Sequence, residues 1–253
     1  MVTSSDKQNS IKFKYQQISL ISLLRFELLS LYGRKILRPK PKLKKDSLNL
    51  LNLGCGSTIF EGWINADFFT NTVRFWERPA SSRDWMLDLR YPMNCDDNVW
   101  DGVFSEHTLE HLYPHQALHL LKEIYRTMKP GAWLRVTVPD LRKYVHYYCG
   151  ELVDERFNTW QTGCEAIRYL TQDNLHLSIW DCELLSSYLK EVGFINIKEV
   201  SFMEGTDTLL LKDKYKRAWE TLYMEAQKPN YNFSKGQLND EQNKFFTDSK
   251  SID

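Results

Sequence analysis

Apolar positions along the chain fall into short runs separated by polar turns, with strand-length and helix-length runs interleaved. Leu48, Leu50, Leu51 and Leu53 form a run of strand length that stops at Gly54-Cys55-Gly56. A buried strand running into two near-adjacent glycines predicts the first strand of an open α/β sheet. The next run, Trp63 to Ala66, ends in Asp67, and Trp85 to Leu89 reads as a third short strand with Asp88 near its end. Val99 to Ser105 reads as a fourth strand. Gln116 to Met128 puts Leu118, Leu121, Ile124, Tyr125 and Met128 on one helical face, and Lys129-Pro130-Gly131 is its expected stop. Trp133 to Val138 alternates and reads as a fifth strand, ending at Pro139-Asp140. Two aromatic-rich segments follow, Leu141 to Cys149 and Glu151 to Leu170, both predicted helical. Cys182 to Val192 reads as a helix closed by Gly193. Phe194 to Phe202 and Trp219 to Ala226 read as a final pair of strands, joined by a charged surface loop.

The amino-terminal region has a different pattern. Ile11 to Leu37 predicts a helix with Ile18, Ile21, Leu24, Leu28 and Leu31 as its apolar positions and Gly33 and Pro39 as terminators. Lys35 to Lys45 is a basic linker with two prolines. Two readings stand for this region. Residues 11–45 touch an anionic membrane surface or a partner protein, or the helix packs on the sheet domain and leads into a solvated linker. Met1 to Ser10 and Asn230 to Asp253 are polar, and their composition predicts disorder.

Composition narrows the class. A chain of 253 residues with 42% hydrophobic and 26% charged residues fits one α/β domain with extensions. The expected division is a helical basic extension and linker over 1–46, a sheet domain over 47–229 and a tail over 230–253. Formal net charge is zero, which gives no electrostatic case for nucleic-acid binding. The charge is unevenly spread: residues 1–45 hold eleven Lys or Arg against Asp6 and Glu27, about +9, leaving about −9 for the rest. Five cysteines with no CxxC pair read as isolated thiols in a reducing compartment. No secretory leader is legible, and the charge-free stretch Tyr15 to Leu24 is about half the ~20 residues a membrane span needs. These features predict a soluble, cytoplasmic protein.

Candidate chemistry gathers where the strands end. The glycine turn after the first strand lets a ligand lie against bare main chain. Asp67, at the tip of the second strand, is placed to accept hydrogen bonds from ribose hydroxyls. A dinucleotide fold would need G-x-G-x-x-G with an acidic residue about 20 positions on, and the third glycine is absent. A phosphate loop would need Gly-Lys-Ser/Thr, also absent. A second cluster, His107-Thr108-Leu109-Glu110-His111, matches the inverted zinc-peptidase pattern H-x-x-E-H, although Pro114 interrupts the helix and no third protein ligand is legible. His115 and His119 read as solvated or partly buried helix residues.

LNLGCG, GWINAD, DGVFSEHTLEHL and LKEIYRTMKPGAWLRVTVPD, in this order, resemble the class I S-adenosylmethionine-dependent methyltransferases. The likeness is to the type 11 family, in its GWxNxD subgroup, and covers roughly Leu48 to Lys228. The resemblance implies a Rossmann-like α/β fold: a mostly parallel sheet with an antiparallel terminal hairpin and helices on both faces. It implies S-adenosyl-L-methionine as cofactor, S-adenosyl-L-homocysteine as product, and an acceptor that is a small molecule or saccharide-linked. It implies cofactor contacts from Asn52, Gly54, Cys55, Gly56, Asp67, Asp88, Leu89, Glu106 and His107, with Asp88 and the Leu89 backbone reading the adenine, and no metal. It also implies that the insertion after the fifth strand roofs a substrate pocket. Asn52 departs from the acidic residue usual at its position, and the short link from Gly56 to Trp63 leaves little room for a full first helix. Methyl transfer needs alignment and exclusion of water, plus a general base where the acceptor oxygen has a high pKa. Candidate bases are His111, Asp140 and His176. The alternatives are a catalytically silent adenosylmethionine-fold binding module and a zinc hydrolase built on the HxxEH segment.

Overall fold

The computed structural model describes residues 19–68, 84–172 and 175–230. The expectations for Met1 to Ser10, for Ile11 to Ile18, for the stretch within 69–83 and for the tail beyond Asn230 lie outside them.

Seven strands form one sheet in the order β3-β2-β1-β4-β5-β7-β6. They are β1 (Leu50–Leu53), β2 (Ile64–Asp67), β3 (Trp85–Met86), β4 (Trp100–Glu106), β5 (Met128–Pro139), β6 (Ile195–Val200) and β7 (Thr221–Gln227). β1 to β5 pair in parallel, while β7 runs antiparallel to both β5 and β6. The expected fold class is therefore the observed one. The order reverses direction at β1, with β2 on one side and β4 on the other. In such sheets the crevice beyond the carboxyl ends of these strands is the natural ligand site.

Alternation along the strands divides the core. Leu51, Leu53, Ile64, Ala66 and Val103 join the main cluster with Leu120, Leu121, Ile124, Leu185 and Leu189 from the helices α2 (Pro114–Thr127) and α5 (Cys182–Val192). α5 begins and ends where its sequence specifies. The Asp181 carboxylate accepts from Leu184 N at 2.8 Å, and Gly193 takes φ 105° at the end. α2 ends at Thr127, and β5 begins directly at Met128, so Lys129-Pro130-Gly131 starts a strand rather than stopping a helix. On the opposite face Leu50, Trp63 and Phe104 pack against Leu210, which lies in a short 3-10 turn, Thr208–Leu210. The link between β1 and β2 holds turns and no helix, so this loop residue, 147 positions after Trp63, covers the strands there.

The insertion after β5 consists of α3 (Leu141–Tyr148), a 3-10 stretch Glu155–Thr159 and α4 (Gly163–Gln172). Tyr144, Phe157, Trp160 and Leu170 give it a small aromatic core of its own. The third strand is only two residues long, shorter than Trp85 to Leu89, because Asp88 and the following residues turn away to meet the amino-terminal helix.

That helix, α1 (Leu20–Tyr32), packs on the sheet edge, as one of the two readings expected, but not through its leucines. Ile21, Leu24, Leu28 and Leu31 are 79%, 61%, 58% and 46% exposed. The inward side is carried by Phe26, Ser30 and Gly33. Phe26 meets Phe68 edge-on, Ser30 donates to the Asp88 carboxylate, and Gly33 lies against Met86. Gly33 does not terminate the helix. The chain continues in a wider helical turn, Gly33–Leu37, until Arg38 turns left-handed ahead of Pro39. No helix among the described residues is long and apolar enough to cross a membrane.

Candidate active site

The glycine turn lies at the point where the sheet order reverses. Gly54 and Gly56 both have positive φ, 69° and 52°, a region open to glycine. Gly54 is also required by space, because a Cβ there would come within 2.1 Å of Thr108 Oγ1. Gly54 N and Cys55 N both donate to Ala66 O, which ties the turn to the end of β2. Asp67 completes the tie: its Oδ2 accepts from Gly56 N at 2.7 Å and its Oδ1 from Phe68 N at 2.6 Å. Asn52 is buried behind the turn, donating to Thr58 O and to Asn65 Oδ1, and so braces the loop from below.

A cavity of about 190 Å³, open to solvent, lies against this turn. Asn52, Gly54, Cys55 and Gly56 line one side, with Glu106 and His107 at the end of β4 opposite. Lys214 and Arg217 also line the cavity, and sequence reasoning missed both, assigning their segment to a surface loop. Lys214 Nζ pairs with Glu106 Oε2 at 3.2 Å, and Lys214 N donates to Glu106 Oε1. Arg217 donates to His107 Nδ1 at 2.9 Å.

A buried cation brings this loop over the turn. Arg135 in β5 is fully buried, and all five of its N–H groups have acceptors. These are the Asp213 carboxylate, Glu225 Oε1, Glu204 O and Ser201 O. Asp213 and Glu225 in turn accept from Met203 N and Thr206 N. The only signal in the sequence was an arginine inside an apolar strand.

The remaining expected residues divide. Asp88 does not face this cavity. Its carboxylate is gripped by Arg90 through Nε at 3.0 Å and Nη2 at 2.7 Å, and by Ser30. Burial pushes the Asp88 pKa up, but the bonds from Arg90 and Ser30 outweigh it and leave the pKa below the ordinary aspartate value. It lines a separate cleft under α1, with Ser30 and Arg34, and Leu89 sits in the adjoining turn, half-buried against the main core. Asp140 is likewise committed. It caps α3 by accepting from Arg142 N and also pairs with the Arg142 guanidinium at 3.0 Å. The Asp140 carboxylate is thus engaged by its own helix, and it does not line the cavity at the glycine turn.

His107, Glu110, His111 and His176 do come together. His107 takes φ 50°, and Glu110 and His111 lie in a 3-10 turn, Leu109–His111. HxxEH therefore does not lie along one α-helix, the geometry the zinc-peptidase reading required. The missing third group is His176, brought in from 65 residues downstream. Its ring meets that of His111 edge-on at 5.1 Å. His176 Nδ1 faces Leu170 O at 2.6 Å, and burial holds its pKa below the ordinary histidine value. His115 is exposed and stacks on Tyr113, while His119 is half-buried with its Nε2 lacking a partner.

A family model described as a methyltransferase domain matches residues 24–199. Among curated proteins none matches significantly. Similar solved structures include a SAM-dependent methyltransferase from Archaeoglobus fulgidus, 18% identical, covering 83% of this chain and 100% of that one, TM-score 0.46. A putative methyltransferase of Haloferax volcanii, solved with the Trm112 methyltransferase activator, is 15% identical over 81% of this chain and 93% of that one, TM-score 0.44. Phosphoethanolamine N-methyltransferase 2 of Haemonchus contortus, solved with S-adenosyl-L-methionine, is 16% identical over 80% of this chain and 52% of that one, TM-score 0.42.

Proposed function

The chain belongs to the methyltransferase-domain family, and from that premise we propose that the cavity at the glycine turn holds S-adenosyl-L-methionine for methyl transfer to an oxygen or nitrogen of a small or saccharide-linked acceptor. S-adenosylmethionine is the methyl donor and S-adenosylhomocysteine the product. The observation that carries the placement is the Asp67 carboxylate joined to the Gly54–Gly56 turn at the point of strand reversal. The ribose diol of the donor bonds to the Asp67 carboxylate. Bare main chain at Gly54 and Gly56 admits the adjoining atoms of the ligand. At the far wall, Arg217 and Lys214 offer cations to the carboxylate of the methionyl tail, and Glu106 offers a carboxylate to its ammonium. The Glu106 carboxylate makes up for the uncharged Asn52.

The chemistry asks for alignment more than activation, because the sulfonium is already electrophilic. The acceptor's lone pair attacks the methyl carbon, the C–S bond breaks, and its electron pair neutralises the sulfur. His111 and His176 stand beyond His107 from the cavity and are the groups able to take a proton from an acceptor hydroxyl. Asp88, held by Arg90 under α1, has no part in this assignment.

Calorimetric titration of the full chain with S-adenosylhomocysteine tests the reading. Micromolar binding is expected, weakened at least 10-fold in Asp67→Ala, a loss of about 1.4 kcal/mol or more. A folded chain that gives no heat with this ligand overturns it. Binding without turnover on any oxygen or nitrogen acceptor leaves the silent binding module instead.

A further inference from the structure

We infer that Glu110, His111 and His176 form a site for one divalent transition-metal ion of the zinc class, set beside the cofactor cavity. Main-chain bonds bring the three together. Leu177 N and Ser178 N both donate to Glu110 O, at 2.7 and 3.1 Å, and Ser178 Oγ donates to Leu109 O. The returning loop thus sets His176 against the turn that carries Glu110 and His111. One ligating atom from each residue lies within 4.8 Å of the others. A tetrahedral ion bound at ~2.1 Å holds its ligand atoms roughly 3.4 Å apart. The exposed His111 side chain is free to close that difference by a rotamer adjustment.

The Glu110 carboxylate gives the second, independent observation. It is 1% exposed, and neither of its oxygens accepts a hydrogen bond. A buried carboxylate with no donor is costly unless a positive charge faces it. The nearest group is His107 Nδ1, 3.1 Å from Oε1. That nitrogen carries no proton to give. A guanidinium only donates, so Nδ1 accepts from Arg217. The other ring nitrogen faces Thr221 Oγ1 at 2.8 Å, and the Thr221 hydroxyl donates to Arg217 O at 2.6 Å. The His107 ring proton is therefore on Nε2, and the single Nδ1 lone pair is taken up by the Arg217 N–H, so His107 gives Glu110 no donor. The carboxylate and the imidazoles of His111 and His176 face a position suited to a cation.

The tautomer of His176 fits the same role. Leu170 O can only accept, so Nδ1–H donates to it and Nε2 keeps its lone pair. Metal-binding histidines are commonly oriented in this way by a carbonyl on the second nitrogen. One carboxylate and two imidazoles select zinc or its neighbours in the first transition row rather than magnesium or calcium, which prefer oxygen ligands. The exposure of His111 leaves coordination positions open to solvent. If the methyl-transfer reading holds, an acceptor hydroxyl bound at such a position loses its proton to solvent more readily. Its oxygen lone pair then forms the O–CH3 bond as the C–S pair returns to sulfur.

The test uses the full chain, stripped with a chelator and titrated with zinc sulfate, then with cobalt chloride for visible spectroscopy. One equivalent of zinc bound at micromolar affinity or tighter is expected, with cobalt bands typical of nitrogen and oxygen ligands. His111→Ala and His176→Ala should each weaken binding at least 10-fold, and the near-isosteric Glu110→Gln likewise. His115→Ala, on an exposed residue outside the cluster, should not change it. The proposal is overturned if the folded chain binds no stoichiometric metal, or binds it equally well in both histidine variants. S-adenosylhomocysteine titrations on the same samples keep the two readings apart. Lost metal with intact cofactor binding removes only the metal site. Metal binding without cofactor binding removes only the placement of the nucleoside.

Discussion

Two glycines two positions apart do different work at the turn. Gly54 needs both a left-handed backbone and the space that a methyl group would take from Thr108, whereas Gly56 has open space where its Cβ would be. Gly54→Ala should therefore cost about 2–4 kcal/mol, from backbone strain plus overlap, and Gly56→Ala only about 1–2 kcal/mol from strain. Urea denaturation of the two variants measures the difference, and equal midpoint shifts would contradict the close approach to Thr108. These glycines and Asp67 were legible in the sequence because all three act through their own stretch of chain. The engagement of Asp140 was not legible for the opposite reason: its Arg142 partner and its cap on α3 show only in three dimensions. Asp140→Asn should lower Tm yet leave the pH profile of methyl transfer in place.

At the scale of elements, α5 was readable to the residue, because its cap and its glycine stop are local signals. Asp181→Ala should cost about 1 kcal/mol in thermal or urea unfolding. The outward leucines of α1 were not readable, because periodicity marks an apolar stripe without saying which side of the helix meets the sheet. Leu24→Gln and Leu28→Gln should each change stability by less than about 0.5 kcal/mol in the isolated chain. The loop that carries Lys214 and Arg217 depends on Arg135. Arg135→Met leaves the carboxylates of Asp213 and Glu225 buried without their cation and should cost about 3–5 kcal/mol. Its folded fraction should also bind S-adenosylhomocysteine more weakly than the native chain, because the loop loses its anchor.

Acidity acts on the molecule as a whole through its buried titratable groups. Burial lowers the His176 pKa from an ordinary 6.5, so the folded state binds fewer protons there than the unfolded chain. The stability this group contributes is complete above pH 6.5 and is lost as the pH falls below it. Asp88 follows at lower pH. Its net shift is below the ordinary 3.8, so its contribution is present above that value and is lost as the pH falls through the folded value. Tm should hold between pH 7 and 8 and begin to fall below 6.5, and His176→Asn should flatten the first part of that fall.

The sequence by itself determined the sheet, the turn and the carboxylate beside it. Hydrophobic period, glycine position and strand length are properties of contiguous residues, and the reversal of strand order follows from packing such units in parallel. Only the tertiary structure decided which residues from elsewhere in the chain line the proposed site. Arg217 reaches His107 across 110 positions, and His176 reaches Glu110 across 66. Contacts at that separation depend on how buried charges and main-chain bonds fold the loops back, and no local pattern records them.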